Sequence, residues 1–142
     1  MDIEKIKVYQ IALNLSREIY GWTKKQAYYW KNKEIDQIQR SSASVPSNIV
    51  EGYAYKVYPK KYVFFLCIAL GSSDETQNHL KILKNRRLLN DEEFKHFLRQ
   101  YKDLSIRILN LIKFIKKENG LDPNKIYKPP RNQVDWQSIG KI

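Results

Sequence analysis

The chain has 142 residues and carries 26 Lys and Arg against 15 Asp and Glu, a formal net charge of +11, with a pI near 9.7 and a mean hydropathy of −0.62. That length suits one domain with a real core, and the charge favours polyanionic partners, nucleic acid above all, because each neutralised phosphate releases counterions. The longest apolar run, Tyr62 to Leu70, is too short to span a bilayer, the opening M-D-I-E-K-I-K is not a secretory signal, and the single Cys67 cannot form an internal disulfide, so a cytoplasmic protein with no membrane partner is expected.

From about Lys5 to Lys24, Val8, Ala12, Leu15, Ile19 and Trp22 keep the three- and four-residue spacing of one helical face, which predicts a first helix. Tyr28 to Asn32 interrupts the pattern, and Asn32 is placed to cap a second helix running from about Lys33 to Tyr55. That helix contains R-S-S-A-S-V-P-S-N-I-V-E-G from Arg40 to Gly52. An internal proline lacks the N–H for its own backbone bond and crowds the carbonyl four residues back, at roughly 3 kcal/mol. Pro46 therefore marks either a break between two helices or a kinked, close-packed seam. Ser41, Ser42, Ser44, Ser47 and Asn48 are short enough to bond freed backbone groups or to admit another helix, with Ser42, Val45 and Ile49 facing the core.

Pro59 stands just ahead of Tyr62, Phe65, Ala69, Ser72, Thr76, Leu80 and Leu83, a third helix to about Asn85. Asn90 followed by Asp91, Glu92 and Glu93 signals the start of a fourth, with Phe94, Leu98, Tyr101, Ser105, Ile108, Ile112 and Ile115 as its stripe. Lys113, Lys116 and Lys117 fall in its last turns, and Gly120 stops it. No segment sustains period-two alternation. The fold expected is all-α, an antiparallel up-down-up-down four-helix bundle over residues 1–119. Residues 120–142 are too proline-rich for a helix and are expected to form an extended C-terminal arm, not a separate domain.

Alternation of direction collects charge at two poles. Lys24, Lys25, Lys31, Lys33, Lys84, Arg86 and Arg87 fall at one, and Lys5, Lys7, Lys56, Lys60, Lys61, Lys113, Lys116 and Lys117 at the other. A lysine near a helix carboxyl end also answers the helix dipole, at about 0.3 to 1 kcal/mol each, so the sum matters more than any one. The second turn interleaves rings and cations as Tyr53, Tyr55, Lys56, Tyr58, Lys60, Lys61 and Tyr62, a pattern in which rings stack on unpaired bases while lysines track phosphates. Tyrosines at helix ends serve packing equally often. Tyr28, Tyr29 and Trp30 form a second such set. The residues expected to bind nucleic acid, whether RNA or single-stranded DNA, are Tyr53, Tyr55, Lys56, Tyr58, Lys60, Lys61, Lys84, Arg86, Arg87, Lys113, Lys116 and Lys117.

Catalytic and metal chemistry find little support. Glu75 and His79 are four apart with Asp74 adjacent, but one histidine with carboxylates lacks the second histidine or cysteine that closes a metal site. Glu51 and Glu75 are expected as polar groups fixing helix register, paired together or with Arg40. Cys67 sits among Phe64, Phe65, Leu66 and Ile68, an apolar setting that raises a thiol pKa. No catalytic residue and no cofactor is expected.

V-Y-Q-I-A-L-N-L in the first helix, Arg40 with S-V-P-S-N-I-V-E-G in the second and F-L-C-I-A-L-G-S-S-D-E in the third together resemble the four-helix-bundle proteins encoded in intervening sequences of bacterial 23S ribosomal RNA genes. That family is related to the accessory variability protein of diversity-generating retroelements. The resemblance covers roughly Ile6 to Ile115, and Tyr9, Gln77 and the longer tail depart from the family pattern. It implies a ring-like homopentamer with a positive surface, nucleic-acid association and no known catalysis. The function expected is a non-enzymatic nucleic-acid-binding scaffold. The alternative is an accessory subunit of a reverse transcriptase in a diversity-generating retroelement, acting mainly through protein contacts.

Overall fold

The computed structural model describes residues 6–26 and 32–127. Within them the chain forms four helices and no strand: α1 (Lys7–Lys24), α2 (Lys33–Ala54), α3 (Pro59–Asn85) and α4 (Asp91–Glu118). Each helix packs against its neighbours in sequence, and α1 closes the ring onto α4. Lys5, Lys31 and the Tyr28–Trp30 set lie outside the described residues.

Helix boundaries follow local chemistry. Asn32 accepts from the Glu34 and Ile35 amides at 2.9 and 3.3 Å, and Asn90 and Glu93 form a reciprocal capping box. Pro59 opens α3, where a missing N–H removes no helical bond. α3 and α4 end alike, with a left-handed residue, Arg87 at φ 61° and Gly120 at φ 63°. The amides that follow bond back five residues, Leu88 to Leu83 at 2.9 Å and Leu121 to Lys116 at 2.8 Å.

α2 runs unbroken through Pro46, which is buried. Of the two expected outcomes the close-packed seam is the one found. The carbonyl freed by Pro46 is that of Ser42, yet the short side chains donate elsewhere: Ser42 to Gln39, Ser47 to Ala43 and Asn48 to Ser44. Their larger contribution is across the seam. Ser44 and Ser72 hydroxyls stand 2.7 Å apart, and Thr76 reaches Ser41 at 2.8 Å. At Gly52 the approach is so close that a Cβ would meet Phe65 Cβ at 3.1 Å and the Tyr62 carbonyl oxygen at 3.2 Å.

Val45 and Ile49 are fully buried, as expected, with Ile35, Ile38, Ile19, Leu66, Leu80, Leu83 and Leu104. Each such side chain contributes about 1.5 to 3 kcal/mol by leaving water. The stripe expected for α4 needs correcting. Phe97 and Leu104 are buried where Phe94, Leu98 and Ser105 were expected to be, although Tyr101, Ile108, Ile112 and Ile115 hold. Both series satisfy helical spacing. The seam with α3 decides between them, because Ser105 bonds Ser73 and Asp74 at its edge and Phe94 lies under the Lys84 ammonium.

Beyond α4 the chain turns back for seven residues onto the bundle end, where Tyr127 is buried. Lys116 holds that segment by donating to the Pro123 and Lys125 carbonyls at 3.2 and 3.0 Å. The remainder of the expected arm, residues 128–142, lies outside the described residues. No described helix is long and apolar enough to cross a membrane.

Candidate nucleic-acid interface

Antiparallel packing divides the twelve expected binding residues into two groups. α3 spans 27 residues, or about 40 Å at 1.5 Å per residue, with Lys60 and Lys61 at its start and Lys84, Arg86 and Arg87 at or just past its end. Tyr127 ties the first group together, since the Lys60 and Lys116 ammoniums lie 5.9 and 5.7 Å from its ring centroid. The α2–α3 turn and the carboxyl end of α4 therefore share one pole.

The two poles differ in how their charge is neutralised. At the far pole, Lys84 pairs with Asp91 at 3.3 Å and Arg86 with Glu34 at 3.7 Å. Both helices that start there are capped and carry acids in the first turn, Glu34 and Asp36 in α2 and Asp91, Glu92 and Glu93 in α4. At the near pole α1 and α3 start with no side-chain cap bond and no acid in the first turn. Among the described residues none of Lys56, Lys60, Lys61, Lys113, Lys116 and Lys117 forms an ion pair there. The positive dipole ends of α1 and α3 are offset there by the negative ends of α2 and α4, so the charge of this pole comes from the lysine side chains themselves.

Ring chemistry at the near pole is narrower than the tyrosine pattern implied. Tyr55 stacks on Phe65 at 5.6 Å and 8°, with the Lys61 ammonium 4.7 Å from its centroid. Tyr53 meets Tyr62 edge-on, and Lys56 lies 4.3 Å from its centroid. These contacts are packing and cation–π contacts within the chain. Tyr62 is buried, which pushes its phenol above the ordinary tyrosine value, with Tyr53 adding to the rise. Tyr58 remains exposed. Lys125 and Tyr127, which spacing did not single out, complete this pole, with Lys125 5.7 Å from the Tyr127 centroid.

The polar residues expected to fix register find other partners. Arg40 pairs with Asp36 at 2.9 Å, Glu51 is exposed, and Glu75 stands 3.4 Å from His79 Nε2. The other ring nitrogen of His79 faces Glu34 at 3.2 Å, so a histidine on α3 is held between carboxylates of two helices. Among the described residues no group of three or more His, Cys, Asp or Glu is placed to hold a metal ion. Burial pushes the Cys67 thiol up from its ordinary value, with Lys116 partly opposing it.

Residues 4–110 match the family described as 23S rRNA-intervening sequence protein. The fold is shared with a crystal structure from Bacteroides thetaiotaomicron VPI-5482, described as a protein with unknown function from the S23 ribosomal protein family. The two are 22% identical with a TM-score of 0.69, over 75% of this chain and 95% of that one. No curated protein matches the chain significantly.

Proposed function

The chain belongs to the 23S rRNA-intervening sequence protein family, and from that premise we propose that it is a non-enzymatic, homo-oligomeric scaffold that binds nucleic acid in the cytoplasm. The observation that carries this reading is the asymmetry of the poles. Among the described residues, lysines without carboxylate partners gather at the α2–α3 turn and the end of α4, beside two helix starts without acids in their first turns, while at the far pole two acidic helix starts stand among the cations and pair with Lys84 and Arg86. Such a surface attracts phosphates by releasing their counterions. Assembly into a ring, a homopentamer in this proposal, multiplies one modest patch into a strong one. Exposed Leu13 and Tyr20 on α1 and Ile106, Leu109 and Phe114 on α4 support self-association through the sides of the bundle.

Affinity for a mixed RNA, followed by fluorescence anisotropy between low and high salt, tests the mechanism. A steep linear fall of log affinity with log salt is the expected result; a flat response would sink it. The same apolar side faces support the second reading, in which the partner is a reverse transcriptase of a diversity-generating retroelement. Light scattering separates the two, since a purified chain that stays monomeric assigns those faces to another protein.

A further inference from the structure

We propose that the tip of the α2–α3 turn seats an unstacked base of a single strand on the Tyr58 ring; this rests on the nucleic-acid reading above and adds the strand state of the ligand. Val57 and Tyr58 are 74% and 62% exposed, two large apolar side chains side by side at the point of a basic turn. Among the described residues the Tyr58 ring has no aromatic, cation–π or side-chain hydrogen-bond partner, whereas Tyr53 and Tyr55 are each engaged by another ring and a lysine. The main chain under Tyr58 is fixed. Its amide bonds the Tyr55 carbonyl at 2.7 Å, its carbonyl accepts from Tyr62 at 3.0 Å, and the following Pro59 restricts its backbone further. With the backbone already fixed, only the two side-chain torsions of the ring remain to be ordered on binding.

Lys56 and Lys60 flank Tyr58 in sequence, and neither is ion-paired among the described residues. Their ammoniums lie over the neighbouring Tyr53 and Tyr127 rings, and in this proposal they take the phosphates on either side of the unstacked base. A duplex offers phosphates but keeps its bases stacked away from the ring, whereas a single strand offers both. Charge alone ranks them the other way, because the duplex has the higher charge density. The order of affinities therefore reports the ring.

The test measures anisotropy with a fluorescent mixed-sequence strand of about 12 nucleotides, a length within the usual range for one small domain, alone and annealed to its complement. Tyr58→Ala is expected to lose roughly tenfold in affinity for the single strand, with duplex binding unchanged. Tyr58→Phe keeps the ring and the affinity. Lys60→Gln weakens both forms in parallel. Single-strand binding by Tyr58→Ala equal to the unsubstituted chain, or a loss that Tyr58→Phe does not restore, overturns the seat and leaves the electrostatic reading standing. Binding of neither form at low salt overturns both. A change of oligomeric state in Tyr58→Ala, seen by sedimentation, puts the ring between subunits and also overturns the seat.

Discussion

A Cβ on Gly52 would lie 3.2 Å from the carbonyl oxygen of Tyr62, so the backbones of α2 and α3 approach here as closely as a missing side chain allows. Gly52→Ala raises helix propensity by about 1 kcal/mol but forces a methyl into backbone and the Phe65 Cβ, an overpacking that costs about 1 to 3 kcal/mol. A net loss of about 1 kcal/mol is expected in chemical denaturation. Gly21→Ala is the control, because a Cβ there meets nothing within 4 Å; its stability is expected to rise by up to about 1 kcal/mol.

Arg87 holds a left-handed backbone at φ 61° that glycine adopts freely and other residues enter at about 1 to 2 kcal/mol. Arg87→Gly is expected to raise the thermal midpoint by a few degrees. Because it sits at the pole opposite the proposed binding lysines, RNA affinity at moderate salt is expected to stay unchanged.

The Tyr101 hydroxyl is fully buried and has no hydrogen-bond partner among the described residues, although Ser42 lies beside it. Tyr101→Phe removes that oxygen and is expected to stabilise the fold by about 1 kcal/mol. Burial pushes this phenol well above the ordinary tyrosine value, with Glu18 adding to the rise and Ser42 opposing it, and Tyr62 and Cys67 are raised as well. The unfolded chain then loses these protons first. Stability from these groups is intact below their ordinary values of about 9 to 10 and is lost as pH climbs above them. Denaturant midpoints measured from pH 8 to 11 are expected to fall, less steeply in Tyr101→Phe.

Replacing Lys60, Lys61 and Lys113 together by Gln is expected to weaken RNA binding and flatten its salt dependence, by up to about one unit of slope for each phosphate that is no longer neutralised. The matching replacement of Lys84, Arg86 and Arg87 is expected to change it little, since Lys84 and Arg86 already face Asp91 and Glu34. Equal weakening by the two triples would contradict the assignment of one binding pole.

Lys116 holds residues 121–127 by two bonds to carbonyls. Lys116→Met removes both, and faster proteolysis near Asp122–Lys125 is the expected outcome. The thermal midpoint should move little, because the bonds are exposed and such interactions contribute about 1 kcal/mol or less.

The helices were legible because their ends are written in local chemistry: Asn32, Pro59, Asn90 and Gly120 act within one turn of themselves. The buried face of α4 was not, because Phe94–Leu98–Ser105 and Phe97–Leu104 obey the same spacing and only packing against α3 separates them. Nor was the site's asymmetry. Lys84 and Lys60 look alike in sequence, and the ion pair with Asp91 that distinguishes Lys84 comes from the fold. Tyr55 and Tyr58 differ just as invisibly, since the ring stacked on the first belongs to Phe65 on the next helix.

Acidic helix starts at one end and, among the described residues, lysines without ion pairs at the other make the bundle a rod with an electrical sense of direction. In the field of a phosphate chain such a rod feels a torque before it touches anything. It turns lysine-end first. Under the proposed nucleic-acid reading, encounters that begin side-on or backwards are redirected, and a patch confined to one tip then captures a polyanion faster than a randomly tumbling particle of the same patch size would.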